Sequence, residues 1–421
     1  MPRSIRVYSC VLSTLSILGL TMLVICSSGP AFAGNIAKPE SPERTIDPGE
    51  VPAFKTRYAG RWGEIACREL VLEPTSDTVT AYPEFETWKE PVTWAFRQSP
   101  DGVRQLLRES GLLEGDVEAL LATARDDSSS GGGTRVFPSD EVIRHLTPEI
   151  RALLYRHIGQ DVEGNLFRYP YVLWNGGFSR MAGKTSGLST NRISQIERMS
   201  FWGKGNDLLF SDVRWTLQQA RSETERLGIL KTFHREMSML AWLDLSALAG
   251  QSHDEILEYW TASRRNEKAR GLIETALENP AIHTIELGRL LPAKNKGLLN
   301  TYPNTGESIG NFWPDCFSTA FTFFSNEVRS GNLADFKKVS EERYERAELP
   351  PQLGDILVIK DSDSRWIHAC NYIAGDIMFT KNGKSERRPW VFQQLDDILA
   401  SYLNDDKITA FYLRLKPEYR E

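Results

Sequence analysis

The chain has 421 residues, of which 41% are hydrophobic and 25% charged, and its formal net charge is −6. That length allows two or three domains, and the composition is that of an ordinary globular protein. The acidic balance, with no basic tract interleaved with aromatics, argues against a nucleic-acid partner.

At the amino terminus Arg3 and Arg6 precede an uncharged run from Val7 to Cys26, and Ala31-Phe32-Ala33 follows as a small-x-small cleavage signal. The pattern predicts a signal peptide over residues 1–33, with export to the periplasm, cell envelope or extracellular space. The apolar run is close to spanning length, so an uncleaved anchor is the rival reading; with cleavage no stable membrane insertion is expected. Cys67, Cys316 and Cys370 remain after cleavage, an odd number, so at least one thiol stays unpaired among them. Neither CxxC nor HExxH occurs, which removes the conventional zinc readings.

Residues 34–52, with Pro39, Pro42, Pro48 and Pro52, read as a flexible lead-in. From 53 to 298 the pattern is mostly helical. The stretch 101–124 predicts two short amphipathic helices broken near Gly111, and "DDSSSGGG" at 126–133 is a loop or linker. Thr147 and Pro148 open another helix as cap and first residue. Ser252 and Glu255 have capping-box spacing, and the run from Ser211 to Leu227 reads as a helix ending at Gly228. If 126–133 is a loop, the helices on its two sides should share one core. The histidines of this region, His145, His157, His234, His253 and His283, are scattered as surface or cap residues would be.

The segment 299–421 differs. "FWPDCFSTAFTFF" puts Cys316 where an apolar helix begins. "GDILVI" (354–359), "RWIHACNYI" (365–373) and "DIMFTK" (376–381) are short apolar runs separated by turn signals, the pattern of an antiparallel meander. "PWVFQQLDDILASYL" from Pro389 reads as a helix and "KITAFYLRL" as a last strand. The fold class expected is α+β, a mostly helical region followed by a helix packed on a small antiparallel sheet.

A cysteine at a helix amino terminus gains thiolate character from the helix dipole and free N–H groups, and more from a neighbouring imidazole. His368, in the middle run of the meander, can supply that imidazole. The competing reading is a buried thiol and a satisfied core histidine. Cys370, two residues on, shares the strand face of His368. It could pair with Cys316, join Cys316 and His368 as a metal ligand, or pack one pleat deeper beneath the helix near Ala320.

Asp315-Cys316 opening the helix, Gly354-Asp355 opening a strand and His368 in the next strand together resemble the NlpC-like cysteine peptidases and amidases of the papain superfamily. The resemblance covers Tyr302 to Leu415. It implies a papain-like unit in which Cys316 is the nucleophile and His368 the base. Thr380 stands where the residue orienting the imidazole belongs, with Asn382 in the adjacent turn as the other candidate. Tyr302 and Asp315 would line the substrate site. The implied substrate is cell-wall peptide, and no cofactor or metal is implied. The family's Ser-Gly after the cysteine is replaced here by Phe317-Ser318. That departure keeps a second function in view, a non-catalytic envelope binding or scaffold protein that retains the fold.

Overall fold

The computed structural model describes residues 55–420 except 61, 82, 127–132, 162–166, 168–169, 174–176, 184, 204–207, 249, 304–313, 326–331 and 403–407. The expected signal peptide, the lead-in and most of the 126–133 segment therefore lie outside the described residues.

The predicted pair of short helices is present as Pro100–Glu109 and Glu114–Leu121. Ser99 caps the first, and the chain reverses through Gly111 at φ +90°, a backbone that favours glycine. Helix Pro148–Asp161 starts as predicted, with Thr147 Oγ1 accepting from the Ile150 N–H at 3.3 Å. Leu107 and Val117 from one side of residues 126–133 share a single apolar cluster with Val142 and Leu154 from the other. Two expectations need correcting. Ser252 precedes the helix His253–Thr261 but makes no side-chain cap bond. The Ser211–Leu227 run divides into helices Val213–Gln218 and Glu223–Phe233, the second capped by Ser222. Gly228 lies inside that helix and is needed for packing: a Cβ there would stand 3.0 Å from the Ser186 carbonyl oxygen.

The 53–298 region also holds strands that the helical reading overlooked. Lys55–Gly60, Gly63–Leu72, Glu236–Asp244 and Thr284–Glu286 form a four-stranded antiparallel sheet in that order. Buried Ile65 and Cys67, with Met239, Ala241 and Leu243 on the facing strand, alternate with more exposed residues at the period of a half-buried strand. Two smaller three-stranded sheets lie among the helices. The chain is thus a mixed α and β protein with antiparallel sheets. Among the described residues no helix is long and apolar enough to cross a membrane.

The carboxy-terminal sheet has six antiparallel strands in the order Tyr344–Arg346, Thr409–Leu415, Ile356–Lys360, Trp366–Ala374, Ile377–Lys381, Trp390–Gln394. The three meander strands are where the alternation placed them. The segment after Pro389 is a correction: Trp390–Gln394 is a strand, and only Leu395–Tyr402 is helical. Trp390, Val391 and Phe392 are all buried, and a short continuous apolar run does not distinguish strand from helix.

Helices pack on both faces of this sheet. Cys316–Phe321 lies against Ile356, Val358, Ala369 and Leu413. Leu395–Tyr402 covers the other face, where its Ile398 meets Leu357, Ile359, Cys370, Tyr372 and Met378. The sheet also joins the earlier region, since Ile373, Phe379, Trp390 and Phe392 share a core with Ile65, Leu243 and Trp260. One apolar core therefore crosses the 298/299 boundary.

Candidate active site

Asp315 is the N-cap of the Cys316 helix: its carboxylate accepts from the Ser318 N–H at 2.8 Å, and Ser318 Oγ accepts from the Asp315 N–H at 2.7 Å. This capping box fixes Cys316 in the first helical position. Gly354-Asp355, the second part of the motif, is structural. Gly354 has φ +84°, and an added Cβ would lie 2.1 Å from the Phe324 ring. Asp355 receives Arg414, whose Nε stands 3.1 Å from each carboxylate oxygen.

Next to Ala369, on which the Cys316 helix packs, the sheet opens. The Trp366–Ala374 strand pairs with Ile377–Lys381 only as far as Asn371 opposite Phe379; beyond that, Thr380 and Lys381 pair with Val391 and Trp390 alone. The Tyr372 N–H donates to Asp355 O at 2.8 Å, so by strand alternation the Ala369 N–H points the other way, into the opening. The Ala369 and Phe317 N–H groups both favour the Cys316 thiolate.

His368 addresses the same opening from the opposite face. A bulge leaves Ile367 without a partner between Trp366 and His368, and from there His368, Cys370 and Tyr372 alternate together toward the Leu395–Tyr402 helix. The imidazole is fully buried. Its Nε2 is 3.0 Å from Thr380 Oγ1, which lies 3.5 Å from Asn382 Oδ1, while Nδ1 is 2.9 Å from the Tyr402 hydroxyl. The Tyr402 ring also stacks on the imidazole with centroids 4.6 Å apart. A Thr380 hydroxyl that donates to Asn382 accepts from Nε2–H, and the phenol then donates to a lone pair on Nδ1.

The structure thus joins two of the predicted residues directly, His368 and Thr380. Cys316 lies beside Ala369, the next residue after His368, but among the described residues no hydrogen bond connects its thiol to the imidazole. Tyr302 is spent elsewhere, its hydroxyl lying 3.1 Å from the Leu72 carbonyl and 2.9 Å from that of His234. Asn382 donates to Gln393 Oε1 at 3.0 Å and touches the histidine only through Thr380. Cys370 keeps the predicted side of the strand, but that side faces Ile398. Asn371 takes the place beneath the Cys316 helix, donating to the Ala320 carbonyl at 3.0 Å. Among the described residues Cys67, Cys316 and Cys370 form no disulfide, and no group of three His, Cys, Asp or Glu could hold a metal ion.

Burial raises the Cys316 thiol to about 12, with the Asp315 charge adding to it and the Ala369 and Phe317 N–H groups opposing. Burial also lowers His368 to about 3. Thiol and imidazole are both neutral in this arrangement. Two residues absent from the sequence reading act here. Tyr402 is one. Lys381 is the other: it is fully buried, donates to the Gly383 and Ser385 carbonyls at 2.8 Å each, and is lowered to about 7 by burial while the Cys316 and Asp315 charges pull it back up. His234 is also buried, contrary to a surface position, at the C-cap of its helix, with Nε2 2.9 Å from the Arg387 guanidinium.

A cavity of about 590 Å³ lined by Arg144, His145, Arg151, Gln195 and Arg198 belongs to the helical region and includes none of the predicted site residues. No family model, curated protein or solved structure matches this chain.

Proposed function

We propose that the protein is an exported cysteine hydrolase, a peptidase or amidase of the NlpC-like type, that cleaves an amide bond in cell-wall peptide. The observation carrying this reading is the His368–Thr380 hydrogen bond, formed one residue along the strand from Ala369, against which the Cys316 helix packs. In the reaction the Cys316 proton passes to Nδ1 of His368, and the thiolate attacks the amide carbonyl carbon. Backbone N–H groups at the first turn of the helix receive the oxyanion. The imidazolium returns its proton to the leaving amine, giving a thioester and a free amine. His368 then takes a proton from water, and hydroxide attack on the thioester releases the carboxylic acid and restores the thiol. Thr380 holds the ring through Nε2. The export and cell-wall elements rest on the amino-terminal pattern and on the family resemblance.

One observation favours a second reading, a non-catalytic envelope binding module: both imidazole nitrogens are occupied by hydroxyls, and Cys316 is only 6% exposed. Incubation with purified cell-wall peptides separates the two. The enzyme releases new amino termini; Cys316→Ala abolishes the release, and His368→Ala lowers it by about a hundredfold or more. Retention on cell-wall material, with no cleavage by the wild type, would establish the binding module instead.

A further inference from the structure

We infer that Tyr402 is a positioning residue that keeps the proposed site latent, occupying the imidazole nitrogen that Cys316 must use. This rests on the cysteine-hydrolase reading and adds its regulation. The phenol lies 2.9 Å from Nδ1 with its ring stacked on the imidazole. Nε2 is committed to Thr380, so Nδ1 is the nitrogen left for a thiol proton. While the tyrosine donates to that nitrogen the thiol has no base, in keeping with the high proton affinity that burial gives Cys316.

The element carrying the tyrosine is suited to release. Leu395–Tyr402 buries Ile398 fully, packs Leu395, Leu399 and Tyr402 against the same core only in part, and has Tyr402 as its last residue. Lightly packed helix ends open at low cost compared with core strands. Outward rotation of Tyr402 breaks one hydrogen bond and one ring stack, leaving a neutral imidazole with Nδ1 no longer engaged by the phenol. No covalent step and no outside reagent is involved. A peptide substrate that packs an apolar group where the phenol ring rests would both displace the tyrosine and be held by the site.

The test uses alkylation of Cys316 by iodoacetamide across pH 6–10, followed by peptide mapping, in the wild type, Tyr402→Phe, His368→Ala and the double variant. Tyr402→Phe keeps the ring and removes the hydroxyl. It should alkylate about tenfold faster near neutral pH, since one hydrogen bond of about 1.4 kcal/mol corresponds to a tenfold change. Its pH midpoint should move down, and the double variant should lose both effects. The imidazole ¹⁵N spectrum gives an independent readout: wild-type His368 should show protonated Nε2 and hydrogen-bonded, unprotonated Nδ1, and Tyr402→Phe should alter the Nδ1 signal alone. Equal rates for Tyr402→Phe and wild type, with His368→Ala slower, would overturn the latch and leave the hydrolase standing. Faster alkylation in Tyr402→Phe that survives in the double variant would make the tyrosine a mere cover. Four equal rates would remove the hydrolase reading as well.

Discussion

A histidine buried without charge has a measurable cost in acid. The folded protein holds His368 near 3, whereas the unfolded chain takes up that proton near the ordinary value of 6.5. Between those values the unfolded state binds more protons. Stability therefore falls as pH drops from about 6.5 and levels off once the folded histidine also titrates near 3. His234 is pushed the same way by burial and by Arg387 and Arg388, so it adds to the slope. Urea unfolding from pH 7 to pH 4 should show His368→Gln losing less stability on acidification than the wild type. The difference should be on the order of 2 kcal/mol; parallel profiles would mean that His368 is solvated and protonated in the fold. At this scale the sequence was legible where a residue's neighbour could be counted along a hairpin. Thr380 comes from laying the chain against the hairpin of the resembled family, and it meets His368. Tyr402 arrives from a helix end that no register ties to the strand. Lys381 is invisible because a lysine in an apolar strand has no pattern that marks it as fully buried. Tyr302 is the nearest match to the upstream tyrosine of the resembled family, and its hydroxyl instead joins the four-stranded sheet to the later segment.

Elements were legible in proportion to how local their causes are. Gly111, Thr147-Pro148 and the turns at Gly375 and Gly383 carry their own reasons, and the structure has them in place. The Gly63–Leu72 and Glu236–Asp244 strands were not seen, because their pairing joins residues more than 150 positions apart. Trp390–Gln394 was taken for helix because its burial comes from a core shared with distant strands. Gly354 combines a local and a distant cause, a left-handed backbone and the Phe324 ring against it. Gly354→Ala should therefore cost about 2–4 kcal/mol in urea unfolding, from backbone strain and overpacking together. A loss below about 0.5 kcal/mol, the usual scatter of surface substitutions, would show that Phe324 yields freely.

For the whole molecule, the division at 298/299 follows a change of pattern and not a division of the interior. Phe379 and Trp390 pack with Leu243 and Trp260, and the Phe392 N–H donates to Ser238 Oγ at 3.2 Å, so the later sheet leans on the earlier one. The six-stranded sheet is covered on both faces, with the Cys316 helix on one and the His368 imidazole on the other. Its strand order has a further consequence. Thr409–Leu415 lies between Tyr344–Arg346 and Ile356–Lys360, so the strand latest in sequence is interior to the sheet. Until it is in place, both neighbours present open hydrogen-bonding edges, and the loop-closure entropy of joining them has been spent on nothing. Assembly of this unit should be slow and late, with a long-lived, aggregation-prone precursor. Deleting residues 409–421 should leave 344–402 open to limited proteolysis while 100–233 stays resistant; equal resistance of both segments would show that the sheet closes without it. A chain emerging amino terminus first would thus assemble its 100–233 core while the later sheet still lacks its interior strand, and the core shared by the two regions would close only when synthesis ends.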